Sequence, residues 1–232
     1  MKLFRGIAVP KHQLESVIEN IRLNGIINQS KTSWQMKQWR LNDLNTLHLK
    51  PDLSREDTLP KTGSIEAVCA CGDKDGALYY ATKHNFSKTN NAPVVIEIDD
   101  KKTSLVIDGR DFLYTSFQYS HPAKARPILE KCFGSAILKY ANKAWSSQDQ
   151  NFKVAQCDLA IQDPAVIEAH HANDIVIAGR WKTVFRSAFT IKLPILPESI
   201  VSIYSPSKFS IIPQPNIKFD DIMDRKNTKR AT

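Results

Sequence analysis

Short β-branched runs broken by turn residues recur along this chain, with amphipathic stretches set irregularly between them. That irregular alternation is the strongest bound on the fold. Regular strand–helix repeats would build a parallel, doubly wound sheet, whereas irregular repeats with short links favour an α+β domain. The sequence also has neither GxGxxG nor GxxxxGK[ST], the fingerprints of the nucleotide-binding parallel sheets. The expected architecture is a single α+β domain over residues 1–212, followed by a polar, basic tail over 213–232.

The pattern reads in order as follows. Lys2 to Val9 is a strand stopped by Pro10, and Leu14, Val17, Ile18 and Ile21 recur at helical spacing before Gly25. Residues 28–62 are polar and basic, weakly helical or irregular. Ile65 to Cys71 is a buried strand, residues 72–76 a turn, and Ala77 to Lys83 a short helix. Val94 to Asp99 and Ser104 to Ile107 are strands around the polar turn at residues 100–102. The longest helical pattern runs from Pro127 to Trp145, with Gly134 able to split it, and Pro164 to His171 is a further helix. Strands close the pattern at Ile175 to Ala178, Ser187 to Leu193 and Ile200 to Tyr204, and the basic residues 224–232 are expected to be disordered.

Charge narrows the partners. A formal net charge of +8 over 232 residues favours a polyanion, nucleic acid first and an anionic surface second. Solubility alone is the plainer alternative. The four cysteines, Cys69, Cys71, Cys132 and Cys157, match no zinc spacing, and the N-terminal residues lack the apolar run of a signal peptide. No segment approaches the roughly 18 to 20 apolar residues of a membrane span, so a membrane is not expected as a partner. A reducing, cytoplasmic setting with free thiols is expected.

Four groups of residues could carry chemistry. Arg5, on a strand between Phe4 and Gly6, is costly to bury without an anion, and its planar fork suits a phosphate; an edge-strand arginine in water is the alternative. The small-residue strand through Cys69 lets a flat ligand approach the backbone, and Tyr79 or Tyr80 could stack on it; the tyrosines could equally divide between core and surface. Glu168, His171 and Asp174, with Arg180 downstream, form the densest polar run, suited to general-base or electrostatic roles or to a simple helix end capped by Asn173. The adjacent His170 and His171 diverge on a helix and make a poor chelating pair, and no metal is expected. Lys31, Trp34, Lys37, Trp39 and Arg40 interleave aromatics with cations, as nucleic-acid contacts do, or the tryptophans cap a core.

At Leu3-Phe4-Arg5-Gly6 the chain resembles the opening strand of the ADP-ribosyltransferases, where an aromatic-Arg-Gly run holds NAD. Ala77-Leu78-Tyr79-Tyr80-Ala81 resembles that family's second landmark, in which a Ser-Thr-Ser strand precedes a helix carrying Ala-x-x-Phe or Ala-x-x-Tyr. Cys69-Ala70-Cys71 stands where Ser-Thr-Ser would be, and no Glu-x-Glu or Gln-x-Glu occurs. The family's late-strand catalytic Glu is matched by Asp174, ahead of Ile175, with Glu168 in reserve. The resemblance implies a split β-sandwich with flanking helices and NAD as substrate. Arg5 and Gly6 would bind the pyrophosphate side, and Cys69, Tyr79 and Tyr80 would lie around the cofactor. The implied activity is mono-ADP-ribosylation of RNA or DNA by a toxin or phage-defence effector, which could be held by an antitoxin or regulatory protein. A protein acceptor is one alternative, and a non-catalytic nucleic-acid-binding protein is another.

Overall fold

In the computed structural model, Lys2–Pro10 forms strand β1, the centre of the larger sheet. Proline has no backbone N–H to continue a ladder, so the strand ends there. Leu14–Asn24 follows as helix α1, and Gly25 closes it at φ 70°, a conformation a side chain would resist. Gln35–Lys37 is β2, Ser64–Cys71 β3, Lys74–Tyr79 α2, Asn91–Asp99 β4 and Leu105–Ile107 β5. Five helices come next: α3 Leu113–Tyr119, α4 Pro122–Phe133, α5 Ile137–Ser146, α6 Gln150–Ala160 and α7 Pro164–His171. The later strands are β6 Ile177–Ala178, β7 Val184–Phe185, β8 Ala188–Lys192, β9 Ile200–Tyr204 and β10 Ile217–Lys218. The structure describes residues 1–27, 35–37, 64–84, 90–109, 112–179, 184–207 and 214–223. The chain is mixed α+β, as its pattern implies.

Contacts divide the chain into two compact units. The first comprises Met1–Met36, Ile65–Val106 and Phe185–Gln214. Its sheet runs in the order β5-β8-β3-β1-β4-β9, with β2 also on β3. β1 pairs antiparallel with β4 along its full length, from Lys2↔Asp99 to Pro10↔Asn91. The side chains of Leu3, Val68, Val94, Ile96, Ile98, Phe189 and Ile191 form its dry interior. α2 lies against β1 so closely that a Cβ on Gly6 would meet the Ala77 carbonyl oxygen at 1.8 Å. The link after α1 is tied down by a reciprocal pair of backbone bonds between Ile26 and Ile195, 2.8 and 2.9 Å long.

The structure departs from the sequence pattern in several places. Residues 73–76 are a helix start rather than a turn, because Asp73 caps α2 by accepting from the Gly76 N–H at 2.6 Å. β4 and β5, adjacent in sequence, are separated in the sheet by β8, β3 and β1. The strand expected at Ile175 begins only at Ile177.

The second unit comprises Lys37–Ser64, Ile107–Val184 and Pro215–Thr232. Its helices close over Phe112, Phe117, Leu129, Phe133, Ile137 and Phe152. The expected break at Gly134 is present: α4 ends there with φ 74°, and α5 starts three residues later. α6 has no counterpart in the sequence reading. It buries Gln156 and Asp158 beside Phe152, Ala155 and Cys157, so its apolar periodicity is interrupted. The expected polar tail is in part core. Ile217–Lys218 pairs in parallel with Ile177–Ala178, and Phe219, Ile222 and Met223 are buried. Residues 224–232 lie outside the described residues.

Candidate functional site

The first group of expected site residues lies in the unit built on the large sheet. β1 holds β4 through nine registered pairs, yet among the described residues its registered pairing with β3 is limited to Phe4↔Cys71. One residue further along β1, the two strands are joined by a side chain instead. The Arg5 Nη1 donates to the Cys69 carbonyl at 2.6 Å. Burial lowers the Arg5 pKa, and the nearby Cys69 and Cys71 thiols partly offset that. Arg5 is half-buried, so this is a guanidinium held between two central strands, and not an edge-strand arginine in free water.

Phe4 packs beside Cys71, Ala77, Ala81 and Val95, and Gly6 abuts the α2 backbone. Strand alternation therefore turns Arg5 to the opposite face of the sheet. Tyr80 joins the same packed cluster as Phe4, and Tyr79 meets it edge-on with ring centroids 5.4 Å apart. Gly6 and Tyr80 thus share the α2 side, Gly6 against the Ala77 carbonyl and Tyr80 in the Phe4 cluster. Glu97, passed over in the sequence, also lies here. It faces Lys2 Nζ at 2.6 Å and accepts from Ser202 at 3.1 Å. Its bond to Lys2 is the largest influence holding its pKa below the usual carboxylate range, against an opposing contribution from burial. The two-residue alternation that puts Phe4 opposite Glu97 was the available signal.

The second group lies in the other unit. Glu168 is exposed on α7, and His171, half-buried, is the last residue of that helix. Its neighbour His170 is fully buried. The His170 ring stacks on Phe133 at 4.4 Å, and its Nδ1 lies 3.0 Å from the Cys132 carbonyl, to which a protonated Nδ1 would donate. Burial lowers its pKa to about 4. Asn173 is buried and exchanges two bonds with the backbone of Ile175, 2.9 and 3.0 Å long. Asp174 is exposed in the link before β6, not at the strand's entrance as expected, because the Asn173 loop delays the strand to Ile177. It lines a groove of about 490 Å³ with Pro127, Ile128 and Lys131 of α4 and with Ile175, Asn216 and Ile217. Burial, and secondarily Asp174, pushes the Cys132 thiol up to about 12, so that thiol is no nucleophile.

Lys31, Trp34, Trp39, Arg40 and Arg180 lie outside the described residues, and so does the side chain of Lys37 at the end of β2. Among the described residues no three His, Cys, Asp or Glu groups converge as metal ligands, and no helix is long and apolar enough to cross a membrane. All four cysteines are free thiols. Comparison with family models, curated proteins and solved structures finds no match.

Proposed function

We propose that the chain is an NAD-dependent ADP-ribosyltransferase of split-sandwich type that modifies nucleic acid, as a toxin or defence effector does. The observation that carries this reading is Arg5, held on the central strand β1 by the Cys69 carbonyl of β3. In the resembled family the arginine of such an aromatic-Arg-Gly strand holds the pyrophosphate of NAD. The planar guanidinium fork matches phosphate oxygens, which is why the resembled family uses an arginine here. The resemblance would set Tyr79 or Tyr80 at the nicotinamide, but both lie on the α2 side of the sheet, away from Arg5, so the reading rests on Arg5 and not on the tyrosines.

Cleaving the glycosidic bond of NAD develops positive charge on the ribose, and a carboxylate stabilises that charge electrostatically. The resemblance assigns this role to Asp174, with Glu168 in reserve; His171, in the same polar run, would serve as a general base. Labelled NAD, incubated with the protein and RNA, DNA or cell lysate in turn, tests the activity and names the acceptor. Label is expected on nucleic acid, and no cleavage with any acceptor would overturn the reading. Arg5→Ala is expected to weaken NAD binding in a folded protein, with Arg5→Lys recovering only part of it, because an ammonium lacks the bidentate fork. Asp174→Asn is expected to slow turnover by ~100-fold, the loss of a contact worth roughly 3 kcal/mol in the transition state, with NAD affinity nearly intact. If Asp174→Asn and Glu168→Gln both keep parental turnover, neither acid is catalytic.

A further inference from the structure

We propose that the groove between α4 and the β6–β10 pair binds single-stranded nucleic acid, taking one unstacked base between its apolar walls and the adjoining phosphates along α4. This rests on the nucleic-acid half of the reading above and is independent of NAD turnover.

The groove's volume of about 490 Å³ lies in the range of sites that take small ligands. Its walls are Pro127, Ile128, Ile175 and Ile217, apolar surface that fits the face of a flat ring. Its polar groups are of three kinds. Lys131 supplies a cation and Asp174 a carboxylate, and among the described residues neither has an ion-pair partner. Asn216 accepts from the Val176 N–H at 2.8 Å through Oδ1, which leaves its amide nitrogen to donate. A carboxylate acceptor beside an amide donor matches the edge of a base, which presents N–H donors next to carbonyl or ring-nitrogen acceptors. A base stacked in a duplex has neither face free for these apolar side chains, so the strand must be single.

Charge selects the same ligand. Lys124 lies two helical turns before Lys131 on the same flank of α4, and both are exposed. Their separation along the axis is about 10 Å, on the order of three phosphates of a stacked strand. An acidic peptide would meet the same lysines, but it would leave the flat slot unfilled and be repelled by Asp174.

The test is fluorescence anisotropy of the full chain, without NAD, using labelled ten-residue RNA and DNA homopolymers at 50 and 200 mM salt. Replacing Lys124 and Lys131 together by Gln is expected to weaken binding of every oligomer and to flatten the salt slope by about 1.4. Ile128→Trp, which fills the slot, is expected to weaken all of them at least about tenfold with an unchanged melting temperature. Asp174→Asn is expected to reorder the preference among bases while leaving the salt slope alone. The proposal is overturned if the parent does not bind, if it binds with affinity and slope untouched by these variants, or if polyglutamate competes as well as the oligomers do per charge. NAD cleavage measured in parallel separates the two readings. Intact cleavage without oligomer binding sinks this inference alone, and groove-dependent binding without cleavage sinks the transferase alone.

Discussion

His170 and His171 are neighbours in the chain and differ in everything that decides their chemistry. The first is fully buried under Phe133 and the second half-buried at the end of α7. That two adjacent histidines on a helix diverge was legible from helical geometry; which one turns inward was not, because either direction suits a mixed helix. The consequence is a dependence of stability on acid. The folded pKa of His170, about 4, lies below the ordinary value of 6.5, so the unfolded chain binds the extra proton. Its contribution is fully present above pH 6.5 and is lost as pH falls through 6.5 towards 4. The loss amounts to about 3 kcal/mol. Denaturant midpoints at pH 7, 5.5 and 4 should therefore fall more steeply for the parent than for His170→Leu. Parallel curves for the two proteins would show that another group controls acid stability.

At the level of elements, β1 and α2 explain what could and could not be read in advance. The strand was evident from its apolar run and its terminal proline. The helix was placed three residues late, because Gly72-Asp73-Lys74-Asp75-Gly76 has turn composition, and Asp73 serves a cap as readily as a turn. Gly6 was assigned to the cofactor, yet its missing side chain is what allows α2 to lie on the strand. Gly6→Ala must drive a methyl group into the Ala77 carbonyl, which is backbone and cannot swing aside. A loss of roughly 3 kcal/mol or more is expected, read as a lower thermal midpoint. An unchanged midpoint would mean that α2 can move away freely. α6 shows the opposite failure. Its buried Gln156 and Asp158 erase the apolar stripe from which a helix is recognised, although Asp149 caps it, accepting from the Asn151 N–H at 2.9 Å. The candidate acids were legible as residue types, but the exposure of Asp174 in a groove depends on Asn216 and Ile217, some forty positions away in sequence.

For the whole molecule, the order in which the strands enter the large sheet has a consequence during synthesis. β3 finds β8, and β4 finds β9, only after the five helices of the other unit have been made. The fragment ending at Val184 therefore presents β3 and β4 each with a ladder side unfilled, the condition in which edges aggregate or are cut. Released fragments 1–184 should be cleaved by protease within residues 64–99, and released fragments 1–207 should resist. Equal resistance at both lengths would show that the sheet closes without β8 and β9. At ordinary elongation speeds of ~5–20 residues per second, the interval between Ile107 and Ala188 lasts roughly 4–16 s. Throughout it Arg5 and Cys69 sit on a half-built sheet, so the ribosome itself imposes a delay between making the arginine strand and completing the sheet around it.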